Sequence, residues 1–331
     1  SGVQSRIRVD KCFGSLPRPA TWWTAQLEPL FEITNHWCFG QEAHYVVVPR
    51  PLARKQLLQP LSADARLERV RSNITRFRSL PRLGLCPDND MILAVVGYSP
   101  FLKEQWIDIA HCDQVMTTSG AYDFLLQKGV RIPDYHVECD PREHKVAFIR
   151  NSQPHTHFHL ASQCHPKMFA NLVSRRRQVT MWHSFTDDDA KRQAALITEL
   201  EKVQQGMIAG RTNAGIVSIS VGRALGFKNF HLFGMDCCYS ETGEIWAGPH
   251  TGVKHKMVRV VCEGKEYWTS ELMLESTDDF FRSVLVMPGV TFTIHGDGLL
   301  AARMRIYKRD QQLALSPEWW QPVGFTRRKA A

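Results

Sequence analysis

Residues 117–140, TTSGAYDFLLQKGVRIPDYHVECD, read as the end of a strand, a turn, a helix and a second strand, and this constrains the fold more than any other stretch. The apolar pair Val115-Met116 leads into a polar Thr-Thr-Ser-Gly turn. A helix-length segment with Phe124, Leu125 and Leu126 follows, and Gly129 breaks it. Pro133 ends any residual helix, after which Tyr135, Val137 and Cys139 alternate with His136, Glu138 and Asp140 at the period of a strand. An acid therefore stands where the second strand ends. In an open parallel sheet, the loops at the carboxyl ends of strands and the amino ends of the following helices form the ligand crevice. Taken singly, Ser119-Gly120 is also a plain helix cap, and Asp140-Pro141 a cap for the next helix.

A second stretch repeats the plan. Residues 210–215 lead into a small and apolar helix over 216–225, ended by Gly226, and the strand over 228–235 closes on Gly234-Met235-Asp236. Upstream, the turn cluster Pro87-Asp88-Asn89-Asp90 precedes a continuous apolar run at 91–96, the pattern of a strand buried on both faces. Gly97 and Ser99 come next, where backbone N–H groups suit a phosphate. Further strands are expected at 157–161, 179–182 and 290–294, helices at 142–150, 187–205 and 270–286, and a hairpin around Glu263-Gly264-Lys265. Strands alternating with helices predict an α/β fold, a mostly parallel sheet with helices on both faces, over residues 89–305. Residues 1–88 form an expected N-terminal accessory region, with one strand at 45–48 and a basic amphipathic helix from Ser62 to Leu80. Residues 306–331 form a polar tail.

At 331 residues and 44% apolar content the chain can bury a sizeable core. It has no run of about 18 apolar residues and no charged-then-apolar leader, so neither a membrane span nor a secretory signal is expected. Nine cysteines, an odd number without paired ligand spacing, predict a reducing, cytoplasmic setting. The net charge of +8 suits an anionic partner, whether nucleotide, nucleic acid or phosphorylated glycan, and Arg175, Arg176 and Arg177 read as a solvated basic face. Asp140 and Asp236, each closing a strand, predict one magnesium ion held between them with positions left for phosphate oxygens; the plainer role for each acid is to cap a turn. His155, His157 and His159 share one strand face without a second ligand group for zinc. Residues 240–253, rich in Gly, Thr, Pro and His, are long for a loop and suggest a lid or an acceptor-binding segment.

Five segments taken together resemble a known family: Ser119-Gly120-Ala121-Tyr122-Asp123, Ile132-Pro133-Asp134 through Asp140, Ala161-Ser162-Gln163-Cys164-His165-Pro166, Gly234-Met235-Asp236 and His295-Gly296-Asp297-Gly298. Their succession over residues 89–305 is similar to the phage and prophage branch of the MptE-like domain. That domain is shared by archaeal 6-hydroxymethylpterin diphosphokinases and by motility accessory factors that glycosylate flagellin. The resemblance implies a Rossmann-like sheet similar to that of certain bacterial sialyltransferases, and use of a nucleotide-activated donor. Where the family carries a Gly-rich Pro-Ser-Leu turn after its first strand, this chain has Gly97-Tyr98-Ser99-Pro100-Phe101-Leu102.

The expected function is a nucleotide-dependent transferase. The leading form is a glycosyltransferase that moves a sugar from a CMP-sugar or other nucleotide sugar to an acceptor hydroxyl. The alternatives are an ATP-dependent pyrophosphokinase and a catalytically silent nucleotide- or nucleic-acid-binding phage protein. Expected nucleotide contacts are Gly97, Ser99, Ser119, Gly120, Gln163, Arg211 and Asn213, with Asp140 and Asp236 on the phosphates or a magnesium ion. His250 or His295 is the expected base, since an imidazole with a pKa near 6.5 can take a hydroxyl proton at working pH.

Overall fold

The structure is a computed structural model that describes residues 62–311, apart from 186–189, 203–204, 210–212, 249–255 and 286, together with strand backbone within 5–49 and at 321–322. The chain divides into two compact units, Ser1–Pro60 and Leu61–Ala331. In the first, Ser5–Asp10, Glu42–Pro49 and Phe31–Phe39 form an antiparallel sheet in that spatial order.

The second unit is built on one sheet. Its strands are β1 (Asn89–Val96), β2 (Gln114–Thr118), β3 (Tyr135–Glu138), β4 (His157–Ala161), β5 (Gln178–Phe185), β6 (Met207–Ala209), β7 (Phe227–Phe233) and, after the hairpin of β8 (Met257–Cys262) and β9 (Lys265–Ser270), β10 (Thr291–Ile294). The spatial order is β6-β5-β4-β3-β2-β1-β7-β10, and every pairing is parallel. The connecting helices are α1 (Ala63–Arg76), α2 (Leu102–Gln105), α3 (Ala121–Lys128), α4 (Pro166–Ser174), α5 (Ala190–Glu201), α6 (Ala214–Ala224), α7 (Glu271–Asp279) and α8 (Leu299–Arg309). This is a Rossmann-like α/β fold.

The apolar run of β1 is explained by burial on both faces. Leu93 and Val95 join the larger core with Ile216 and Ile219 of α6, while Ala94 and Val96 join a second core with Ile109 and Leu125. Each of the Leu, Ile and Val side chains contributes roughly 1.5–3 kcal/mol by leaving water. A third cluster, with Val260, Tyr267, Leu299 and Ile306, fills the space between the hairpin and α8. Among the described residues no helix is long and apolar enough to cross a membrane.

Four expectations change. Residues 61–88 fold with the sheet and not with the N-terminal region, because Val70, Asn73 and Ile74 of α1 are buried in its core and Phe77 stacks on Phe169 at 5.1 Å. The basic segment after Asp140 is a 3-10 helix, Glu143–Ile149. The helix expected over 270–286 ends at Asp279 in a π-helical turn that turns Phe280, Phe281 and Val284 inward. Within the polar tail, Ile306 is buried and Gln321–Pro322 pairs with β8. The three residues of β6 are too few to show a period, and no strand was expected there.

Asn73 ties α1 to the sheet by donating Nδ2 to Ser162 O at 2.9 Å and to Cys164 O at 2.8 Å. Asn73→Leu keeps the volume but leaves two buried carbonyls without a donor, so it should cost about 2–5 kcal/mol. Urea denaturation checks this; a loss well under 1 kcal/mol would show that α1 is held by apolar packing alone.

Candidate functional site

The order of strands reverses beside β1, since the chain builds outward through β2 to β6 and returns across the sheet by α6 to set β7 on the other edge of β1. Ligand crevices form at such a point, outside the carboxyl ends of the strands. Here the two strand ends touch. Gly97 N donates to Phe233 O at 2.8 Å and Ser99 N to Gly234 O at 3.0 Å. A Cβ on Gly97 would lie 2.4 Å from Gly234 O, and Gly234 holds φ +58, so only glycines allow this approach. The Gly97 N–H is given to Phe233 O, so its part in this structure is to close the two strands together.

The contact brings Ser99 Oγ to Asp236 Oδ2, to which it donates a hydrogen bond. Gln105 braces both sides, with Nε2 donating to Asp236 Oδ1 at 3.3 Å and Oε1 accepting Gly234 N at 2.8 Å. The loop after β10 covers the carboxylate, and a Cβ on Gly298 would lie 2.4 Å from Asp236 Cβ. Asp236 is 2% exposed. Burial pushes its carboxyl up to about 6, against the hydrogen bonds from Ser99 and Gln105 that favour the charged form.

A second cluster lies across β2 and β3. Ser119 turns the chain from β2 into α3 with φ +50, and its N–H donates to Glu138 Oε1 at 3.0 Å. The ring of Tyr98 occupies the place a Cβ on Gly120 would take. Lys145 donates from Nζ to Ser119 Oγ at 3.3 Å and lies 3.6 Å from Asp140 Oδ2. Arg142 Nε reaches both Asp140 oxygens at 2.9 Å. Burial would raise the Asp140 carboxyl, but the Arg142 hydrogen bonds and the Lys145 charge outweigh it and hold it below its usual range. Gln163 lies alongside, donating Nε2 to Cys139 O at 2.7 Å.

Residues 69–242, over half of the chain, match the family described as 6-hydroxymethylpterin diphosphokinase MptE-like. The chain belongs to the MptE-like family. The fold is also similar to the MAf glycosyltransferase from Magnetospirillum magneticum AMB-1, with a TM-score of 0.51 and 12% identity over 78% of this chain and 42% of that one. At that identity the likeness shows the fold alone, and the MptE-like chain spans less than half the length of the glycosyltransferase. The hexameric APS kinase from Thiobacillus denitrificans, 13% identical over 88% of this chain and 44% of that one, has a TM-score of only 0.14 and carries no argument. No curated protein matches the sequence.

In this MptE-like chain the two acids expected to share a magnesium ion do not come together. Asp140 and Asp236 follow β3 and β7, three strand spacings apart, or about 14 Å, whereas ligands of one magnesium each lie about 2.1 Å from it. Each carboxylate also has its own partners, so these residues do not fit a shared ion, and no group of three or more His, Cys, Asp or Glu suited to a metal occurs among the described residues. His157 is 2.7 Å from Thr180 Oγ1 and stacks on His159, which accounts for the alternating histidines. His295 lies on the ring of Phe233 with Nε2 3.2 Å from His231 Nδ1, and burial, then His231, push its pKa down. Its position is that of a packed partner of His231.

Asn213 caps α6, with Oδ1 accepting Ile216 N at 2.9 Å, and the adjacent Gly215 packs on Met235, so the second turn and helix do reach the crevice. His250 and Arg211 lie outside the described residues. The described part of the loop taken for a lid, residues 240–248, is anchored: Ala247 N donates to Tyr98 O at 3.1 Å and Lys103 pairs with Glu244 at 2.9 Å. Sequence reasoning missed Gln105, Glu138 and Lys145. Of these only Glu138 left a signal, as an acid in the middle of an alternating strand that the structure buries completely.

Because the folded-state pKa of Asp236 lies above the ordinary 3.8, its contribution to stability is complete below pH 3.8 and is lost as pH rises through about 6. The loss is about 3 kcal/mol at roughly 1.4 kcal/mol per pKa unit. Asp236→Asn should therefore gain about that much stability relative to the parent between pH 4 and pH 7, measured by urea denaturation at both. A difference that does not change with pH would show that the carboxyl is not destabilised by burial.

Proposed function

We propose that this chain transfers a sugar from a nucleotide-activated donor to an acceptor hydroxyl. The observation that carries the reading is a pair of complementary sets on one strand-end crevice: the cations Lys145 and Arg142 beside the Ser119 hydroxyl, and the buried carboxylate Asp236 reached through Ser99. Ser119 follows β2 and Ser99 follows the adjacent β1, so the two sets are separated by about one or two strand spacings of ~4.8 Å, the span of a phosphate and the carbon it leaves.

In this reading the acceptor hydroxyl gives its proton to Ser99 Oγ as Ser99 passes its own to Asp236. A carboxylate with a pKa near 6 is suited to this at neutral pH, being ionised but still basic. The acceptor oxygen bonds to the anomeric carbon, the bond from that carbon to the phosphate oxygen breaks, and the leaving nucleotide takes the electron pair. Lys145 and Arg142 would stabilise the charge that develops on it, with Asp140 orienting both cations. Supply of that charge by protein side chains supports sugar transfer without a required metal. The family description favours a second reading, in which the same crevice passes a pyrophosphoryl group from ATP to a hydroxyl.

A thermal-shift and turnover panel with CMP-, UDP- and GDP-sugars and ATP, with magnesium and with chelator, separates these readings. The expected result is stabilisation and turnover with one nucleotide sugar, retained in chelator. Turnover with ATP alone, lost in chelator, would give the pyrophosphokinase; steeply salt-dependent DNA binding without turnover would give a binding protein.

Lys145→Ala should weaken donor binding at least tenfold. Asp236→Asn should leave donor binding near the parent value and cut kcat by about 10²–10⁴, and the parent's rate should rise with pH through about 6. A pH profile that is flat across this region, in parent and variant alike, would remove Asp236 from the chemistry.

A further inference from the structure

Beneath the turn that carries Ser119 lies a row of buried polar side chains that the proposed chemistry leaves unused. Thr117 and His136 are paired across β2 and β3, and Glu138, two residues on, shares their face of the sheet. All three are 0% exposed. Thr117 Oγ1 lies 3.1 Å from His136 Nδ1, and His136 Nε2 faces Glu138 Oε1 at 3.7 Å. The rings of Tyr122 and Phe158 pack edge-on against His136, with centroids at 5.1 and 5.8 Å, which fixes the imidazole. The row ends at the turn. β2 stops at Thr118, paired with Val137, and where the ladder gives out the Glu138 carboxyl accepts the Ser119 N–H at 3.0 Å.

Stability alone does not account for a wholly buried carboxyl at a strand end. Glu138 Oε2 has no hydrogen-bond partner, and a buried polar group in that state costs stability that an apolar side chain of the same shape would not. What the carboxyl secures is a conformation. Ser119 holds φ +50, in the left-handed region that L side chains enter only at a cost, and no side chain caps the amino end of α3 beyond it. With its amide tied to Glu138, Ser119 keeps its hydroxyl 3.3 Å from Lys145 Nζ. Lys145 is itself buried, with Nζ 3.6 Å from Asp140 Oδ2 and 4.8 Å from the centre of the Phe148 ring. The placing of hydroxyl and ammonium therefore depends on how far the Glu138 side chain reaches.

We propose that Glu138 is a positioning residue of the transfer: braced by His136 and Thr117, it holds the Ser119 turn so that the Ser119 hydroxyl and the Lys145 ammonium meet the phosphate that leaves. The inference rests on the transferase reading above. Two conservative variants separate reach from acidity. Glu138→Gln keeps an acceptor oxygen at the same reach, whereas Glu138→Asp keeps the acid and draws its oxygens back by one bond length, about 1.5 Å, out of hydrogen-bond range of the Ser119 N–H. Calorimetric titration of the full chain with inorganic pyrophosphate in chelator, and steady-state kinetics with the donor that the parent turns over, give the readouts. The Glu138→Gln chain should stay within about threefold of the parent in both. The Glu138→Asp chain should bind pyrophosphate at least about tenfold more weakly and lose at least as much kcat/KM for the donor, with the acceptor KM unchanged, because the acceptor meets Ser99 and Asp236 instead. Ser119→Gly, free to take a left-handed φ, should suppress the defect, so that in this background Glu138→Asp costs about threefold or less.

A Glu138→Asp chain that matches the parent overturns the assignment, as does a Glu138→Gln chain as weak as Glu138→Asp, or an equal loss from Glu138→Asp with and without Ser119→Gly. A rise in acceptor KM alongside the donor defect would show a general loosening of the fold and no positioning. Should Glu138→Asp fail to fold, Glu138→Met, unbranched and without an acceptor oxygen, takes its place in the same comparisons. If the parent binds pyrophosphate and the variants follow another order, only this inference falls. If the parent binds no pyrophosphate and turns over no donor, the transferase reading falls and takes this inference with it.

Discussion

The backbone contact between the ends of β1 and β7 is what the rest of the site depends on. Two main-chain hydrogen bonds and two facing glycines bring the strands to touching distance at the point where the sheet order reverses. A side chain on either glycine would drive the strand ends apart. Ser99 would then leave Asp236, Gln105 would lose one of its two anchors, and the loop carrying Gly296 and Gly298 would no longer sit on the carboxylate. The closeness is a backbone property, so it can be held independently of what the crevice binds.

The two strand-end acids show how environment divides one residue type into two kinds of chemistry. Asp140 has Arg142 and Lys145 within reach and is held ionised below its usual range, which makes it an organiser of cations. Asp236 has only neutral donors around it and almost no solvent, so its carboxyl rises to about 6. Pairs of acids pushed in opposite directions are a recurrent sign of divided acid-base roles. The same contrast explains why they do not share an ion, since each is already satisfied by a different set of partners.

The fold was largely legible in the sequence, and for identifiable reasons. The continuous apolar run of β1, the alternation in β3 and the glycine ends of α3 and α6 are local patterns, and local patterns state the element type directly. Glu263-Gly264 marked the hairpin, where both residues adopt positive φ. The boundary of the larger unit was missed because the burial of Asn73 depends on carbonyls about ninety residues away, which no window of sequence displays. The site was half legible. Ser119, Gly120 and Asp236 stood at strand ends and Gln163 in a segment that resembled the family, but Lys145 sat unremarked in a basic segment and Gln105 in a four-residue helix. That Asp140 and Asp236 lie apart could not be read at all, because it follows from strand order and not from strand content.

The pairing of β1 with β7 also sets a timetable. About 130 residues separate the two strands in sequence, and contacts between such distant segments form only after a large loop has been closed, so they come late in folding. A chain emerging from the ribosome holds β1 to β6 and the cations on Arg142 and Lys145 well before Asp236 has been made. An unfinished chain, or one cut short before residue 236, therefore has the cationic half of the crevice and no partner for Ser99. The cleft can attract an anion early, but the carboxylate beside Ser99 arrives only when the sheet has been closed around the newly made strand.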